Sequence, residues 1–326
     1  MIGSVVATVT NLRSDAGGHM HLTRTRWLTI ACGVALSLGL ARLVIAEDGR
    51  SGKATGESAA SAESRSEGEK ERPKSEREEP EPEEKEEHIE TDRDSFTPST
   101  RTVEKGRTVL EAAYSFIDNR NTADNHSFPE VVARIGITDG IELRLGWNYE
   151  VGGGGGVVSG VEGAEGLEGG GIKREARALY GMKFRLSEQE KWIPESSVIM
   201  QAFTPTLGDA TATDVSVTYV FGWELPDKWK LDAALRYGTV TEVEDNSATW
   251  SPSVVLRVPL AESWYTHVEY FGISPQGSES AAPQHYLSPG LHYLVNNDLE
   301  VGFRLGWGLT DASENFFVNA GVGMRF

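Results

Sequence analysis

The 326-residue chain has one cysteine, no long apolar run beyond its first fifty residues, and far less positive than negative charge. Cys32 lies in an N-terminal stretch that reads as a removable secretory signal. The mature chain is therefore expected to hold no disulfide and no cysteine metal site. Lys and Arg number 31 against 49 Asp and Glu, a formal net charge of -18. Phosphate backbones require a basic face, so no nucleic acid is expected as a partner. Without apolar runs of about 20 residues the body of the chain cannot cross a membrane as helices. A β-barrel needs no such run, because its lipid-facing residues occupy only every second position, and a mean hydropathy of -0.35 is compatible with one.

Four segments follow from composition. Residues 1–46 read as a signal peptide: Arg24 and Arg26 are the basic part, Trp27 to Leu40 the short apolar part, and Val44-Ile-Ala46 the cleavage site. Residues 1–19 have no signal character, which makes Met20 the alternative start. Residues 47–93 are rich in Glu, Ser, Lys, Arg and Pro and contain no aromatic residue. They have almost nothing to bury against the entropy of ordering and read as a disordered, acidic periplasmic arm, dispensable for folding and able to contact a periplasmic partner. Residues 94–106 are a lead-in, and 107–326 are the folded domain.

That domain alternates. In Ile141-Glu-Leu-Arg-Leu-Gly-Trp147 the residues Ile141, Leu143, Leu145 and Trp147 share one face of a strand, while Glu142, Arg144 and Gly146 share the other. Leu299 to Trp307 repeats the pattern, and so does the closing stretch to Phe326. Twelve runs of this kind are expected, at 107–118, 127–137, 140–151, 173–185, 195–206, 213–225, 228–240, 248–260, 263–273, 284–295, 298–308 and 315–326. Short polar turns alternate with longer loops, and aromatic residues gather near strand ends. The reading is an all-β, antiparallel transmembrane barrel of about twelve strands in the bacterial outer membrane, with both termini in the periplasm.

Several stretches resemble a known family. Ile89-Glu-Thr-Asp-Arg-Asp-Ser-Phe-Thr-Pro98 is similar to its "TDRPDFT" signature, with Asp94 in place of Pro. Ser127 to Gly146 is similar to its "PE-x-LLR-x-G-(L/I)-TD-x-(L/V)-ELRLG" segment, and Leu299 to Phe326 to its last two strands. The family is that of outer-membrane transporters linked to the meta-cleavage pathway of phenol degradation. The resemblance implies a barrel that passes small, hydrophobic or aromatic molecules. It also implies that the terminal strand, with Phe316, Val318 and Phe326 on its lipid face, is read by the barrel-assembly machinery.

Strand phase aims a mixed set of charges at the lumen. Glu130, Arg134, Glu142, Arg144, Arg177, Arg236, Glu269, Glu300 and Arg304 are the candidate selectivity lining of a passive channel for a small-molecule solute. The competing expectation is that such charges pair across strands and fill a structural, non-conducting barrel. Inward glycines, among them Gly136, Gly302 and Gly321, leave room and favour a pore. An outer-membrane hydrolase would need a serine beside a histidine, and Ser288, His267 and His292 lie on neighbouring runs without a nucleophile motif, so no catalytic residue is assigned. No cluster has metal-ligand spacing, and neither metal nor other cofactor is expected.

Overall fold

The computed structural model describes residues 88–120, 122–153, 172–241, 246–276 and 282–326. The expected signal peptide, the arm as far as residue 87 and most of the glycine-rich loop at 152–171 lie outside the described residues.

Alternation of small or polar with apolar side chains cannot be satisfied by a helix, and the described backbone forms twelve strands with one short 3₁₀ turn at Pro226–Lys228. The strands are β1 Thr108–Asp118, β2 Asn125–Thr138, β3 Ile141–Gly152, β4 Lys173–Ser187, β5 Glu195–Leu207 and β6 Asp214–Glu224. They continue as β7 Lys230–Thr241, β8 Asn246–Ala261, β9 Trp264–Gln276, β10 Gln284–Asn296, β11 Leu299–Gly308 and β12 Phe316–Arg325. Every expected run is a strand, with ends displaced by three residues or fewer. Each strand pairs antiparallel with its sequence neighbours, and β1 pairs with β12 to close the barrel. The seam runs from Val109 opposite Arg325 to Asp118 opposite Phe316. Mutual backbone bonds between Thr108 and Phe326, at 2.8 and 3.2 Å, extend it to the last residue.

The outer surface is what decides between a membrane barrel and a soluble one. Leu110, Leu145, Met200, Val217, Leu235, Val268, Leu291, Val301, Phe303, Val322 and Met324 all point outward at 40% exposure or more. A contiguous apolar belt of this kind is untenable in water but is what lipid requires. Trp147, Trp250 and Trp307 stand toward the long-loop end of their strands, and Trp192, Trp229 and Trp264 toward the short-turn end. These are two interfacial girdles. Phe316 and Val318 are on this outer face, half-buried, and Phe326 ends it at 56% exposure.

The inner face is buried and polar, and the segment before β1 is what buries it. Residues 88–106 enter at the short-turn end, where the Ile89 N–H donates to the Asn297 carbonyl at 2.9 Å. They pass up the lumen as far as Phe96, which meets Phe271 and Phe317, and return to the same end, where the Gly106 N–H donates to the Gly136 carbonyl at 2.9 Å. Residues 88–93 therefore belong to this packed segment, whereas composition assigned them to the arm. They escaped notice because what orders them is chiefly hydrogen bonding to the wall, with a single apolar side chain, Ile89, buried against Val103, Val109 and Leu294.

Candidate functional site

The nine charged residues expected to face inward all do, and each is 8% exposed or less. They do not line open space. Arg134, from β2, donates through Nε and Nη2 to both oxygens of Glu142 at 2.9 and 3.0 Å, and through Nη1 to Glu111 at 3.0 Å. Arg144, on β3, reaches Glu142 at 2.8 Å and Asp92 of the inserted segment at 2.5 Å. Lys183 on β4 lies 3.5 Å from Asp92 and donates to the Ser99 carbonyl at 2.7 Å. Burial opposes the charge on Asp92, but Arg134, Lys183 and Arg144 outweigh it and hold its carboxyl far below the usual carboxylate range.

Wall carboxylates in turn satisfy the inserted backbone. Glu111 accepts the N–H groups of Asp92 and Arg93 at 3.1 to 3.2 Å. Glu269 accepts those of Phe96 and Thr97 at 2.9 and 2.6 Å, together with the Thr97 hydroxyl at 2.7 Å. Glu142 accepts the Val103 N–H at 2.9 Å. A segment without regular secondary structure thus has the N–H groups of Asp92, Arg93, Phe96, Thr97 and Val103 paired with wall carboxylates, in place of the ladder it lacks.

The remaining candidates complete the contact. Glu130 pairs with Arg93 at 2.8 Å, and Arg304 with Glu269 at 3.3 Å. Arg236 lies over the Phe96 ring, 4.4 Å from its centroid, and Phe96 stacks on Phe271 at 4.3 Å and 5°. Glu300 accepts from Thr91 at 3.2 Å. Arg177 stands apart from the segment, paired with Asp214 at 2.9 Å nearer the long-loop end.

The glycine argument for an open pore is corrected by the same contacts. A Cβ on Gly136 would run into the Glu104 carbonyl, and one on Gly323 into the Thr91 methyl. One on Gly321 would lie 3.3 Å from Arg93 Nη1. The room these residues leave is occupied by residues 91–104. Two clusters escaped sequence reasoning as groups, although their members stand in the stretches already named. One is Asp92 and Arg93, for which the family signature is the available signal. The other is Asp94 with His267 and His292, which are 173 or more residues away along the chain.

A closed twelve-stranded antiparallel barrel with an apolar exterior, aromatic girdles and a polar, occupied lumen is a transmembrane β-barrel of the outer-membrane type. The chain belongs to the family described as "Putative MetA-pathway of phenol degradation", whose model matches residues 91–326. Among solved structures it is similar to the COG4313 outer membrane channel from Pseudomonas putida F1, at 11% identity and a TM-score of 0.50, over 70% of this chain and 98% of that one. It is also similar to the NanC porin, at 8% identity and a TM-score of 0.44, over 67% and 98%. A third is the translocator domain of the autotransporter NalP from Neisseria meningitidis, at 9% identity and a TM-score of 0.43, over 68% and 88%. No curated protein matches the chain.

Proposed function

We propose that this protein is an outer-membrane channel for small molecules, held shut by its own residues 88–106, and that solutes pass when this segment shifts. The observation that carries the reading is the character of the plug. It is held by hydrogen bonds and ion pairs together with two small apolar contacts, Phe96 against Phe271 and Ile89 with Val103 against Val109 and Leu294, and it has no regular structure of its own. Such a segment can exchange wall partners for water more readily than a packed apolar core can. Once it is displaced, Glu130, Arg134, Glu142, Arg144, Arg236, Glu269, Glu300 and Arg304 face the path as a ring of mixed sign, and Arg177 stands near the outer mouth. Family membership supports small aromatic or hydrophobic solutes. The signal-like N-terminus and the strand phase support an outer-membrane location with the arm in the periplasm. Phe326 at the closing strand supports recognition by the barrel-assembly machinery.

One observation favours a second reading, a non-conducting scaffold, and it is that same filled lumen. A hydrolase is the weakest alternative, since the Ser288 hydroxyl donates to the Leu305 carbonyl at 2.8 Å. Planar-bilayer conductance of the full chain and of a variant lacking residues 88–106 separates the two main readings. The channel reading expects low conductance from the full chain and a clear rise in the deletion variant, together with uptake of phenols or aromatic acids by liposomes. A folded deletion variant that conducts no more than the full chain replaces the channel with the scaffold.

A further inference from the structure

Between the plug and the wall three ligand-bearing side chains meet. His267 on β9 and His292 on β10 point to the same inner face, since His267 pairs with Gly290 and His292 follows two residues later. The imidazoles lie 4.9 Å apart, 29° from parallel, with His267 Nδ1 2.7 Å from His292 Nε2. Asp94 of the inserted segment comes from the other side, its Oδ2 3.7 Å from the same Nε2. One ligand atom from each of the three lies within 4.8 Å of the others.

The surroundings are shaped to this meeting. Gly290 and Gly302 face the two imidazoles. A Cβ on the first would strike the His267 ring, and one on the second would lie 2.8 Å from His292 Nδ1. Only glycine at these positions lets both rings lie flat across the wall and turn toward Asp94. Glu300 Oε1 stands 3.3 Å from His292 Nδ1, without a hydrogen bond in this geometry, and a small turn of the ring would give the carboxylate-behind-histidine arrangement that fixes ring orientation at metal centres. His267 is fully buried, and its Nε2 has no hydrogen-bond partner among the described residues. The nitrogen of His267 that faces His292 is Nδ1, which makes it the ligand atom and leaves Nε2 to carry the ring proton.

We propose that Asp94, His267 and His292 form a binding site for a borderline divalent transition metal of the Zn²⁺ class, tying the plug to the barrel wall. Two imidazoles and one carboxylate are the donor set such ions select over Mg²⁺ or Ca²⁺. In a tetrahedral centre with metal–nitrogen bonds of about 2.1 Å the two ligand nitrogens sit about 3.4 Å apart, so the imidazoles separate by roughly 0.7 Å on binding. Charge favours a cation despite two nearby guanidiniums. Arg257 is paired with Asp232 and lies 3.8 Å from Asp94 Oδ1, and Arg304 is paired with Glu269. With Glu300 the set holds four carboxylates against two guanidiniums, a surplus of two negative charges for a dication. Three ligands leave a fourth position open. A cavity lined by Arg93, Asp94, His292, Glu300, Arg304 and Asn319 adjoins the site and has room for water; Arg93 is paired there with Glu130 at 2.8 Å, which leaves the surplus of two unchanged. The site stands on this geometry alone; only its consequence, a latch that holds the plug, rests on the channel reading.

The test uses the tag-free, chelator-stripped full chain, folded in detergent, so that its outcome is separate from any conductance measurement. Co²⁺ is titrated and followed by its visible ligand-field bands, and Zn²⁺ by calorimetry with Mg²⁺ in excess. One equivalent should bind, with nitrogen-type Co²⁺ bands that Zn²⁺ displaces and Mg²⁺ does not. His267→Ala and His292→Ala should abolish the bands while the barrel still shifts in mobility on heating. Glu300→Gln should weaken affinity by roughly 10–100-fold, as loss of an orienting partner does. If the histidine variants fail to fold, Asp94→Asn in the plug decides, with loss of affinity expected. A wild-type chain without a stoichiometric site, or bands that persist unchanged in the folded variants, overturns the proposal.

Discussion

Arg134 shows how much of this interior depends on single side chains. It is about 1% exposed, its guanidinium meets Glu142, Glu111 and the Glu90 carbonyl, and Asp92 lies 3.5 Å away. Taking so many charges out of water costs several kcal/mol per ion, and close pairing roughly offsets this, so the cluster adds little net stability as a set. Removing one member is another matter, because it strands the others. We predict that Arg134→Gln destabilises the barrel by about 3–5 kcal/mol in reversible denaturant unfolding from liposomes. Arg185→Gln, which removes an exposed pair with Glu188 at 3.4 Å, should cost less than about 1 kcal/mol. Equal costs for the two would mean that water reaches the Arg134 cluster and screens it.

The inserted segment behaves as one element although it has no regular structure. Phe96 is its largest apolar anchor, buried against Phe271, Ile117, Tyr286 and Phe317, and Ile89 with Val103 forms a smaller one against Val109 and Leu294. Phe96→Ala removes a fully buried ring, a loss of about 3–5 kcal/mol at a core site. Here we predict that the loss falls on plug retention: bilayer conductance should rise and a protease added on the short-turn side should cut within 88–106, while the barrel remains heat-modifiable. Acid should act through Asp92. Its folded carboxyl titrates below the ordinary range, so its contribution is complete above that range and is lost progressively as pH falls beneath it. Conductance should therefore be unchanged from pH 7 to 5 and rise only below about pH 4. A rise already at pH 6 would point to a different titrating group. This element also marks where sequence legibility ends. The wall was legible because lipid and lumen impose a period of two on every strand, as on Ile141 to Trp147. The plug was not, because its order comes from contacts such as Thr97 with Glu269, 172 residues apart, which leave no local period. Its glycine partners misled for the same reason, since Gly136 and Gly321 look like open space until the segment they admit is in place.

The whole barrel depends on closure, since an unpaired strand edge in lipid leaves backbone groups that each cost several kcal/mol. Removing residues 47–87 touches none of the described wall or plug contacts, and the yield of heat-modifiable barrel should be unchanged. Extending the deletion through residue 106 strands Glu111, Glu142 and Glu269 without the N–H groups they accept, and should lower the denaturant midpoint. The seam itself is tested at the last residue. Phe326 contributes an N–H and a carbonyl to Thr108, at 2.8 and 3.2 Å, and an aromatic ring to the outer surface. Deleting it removes both bonds from the end of the β1–β12 ladder and ends the chain on Arg325, whose side chain pairs with Asp298 at 2.8 Å and does not face lipid. We predict a several-fold drop in folded barrel recovered from outer membranes. Refolding of the purified chain into detergent should be nearly normal, because all ten β1–β12 pairs from Val109–Arg325 to Asp118–Phe316 remain. A matching drop in detergent refolding would place the role of Phe326 in seam stability; a drop confined to cells would place it in recognition during assembly.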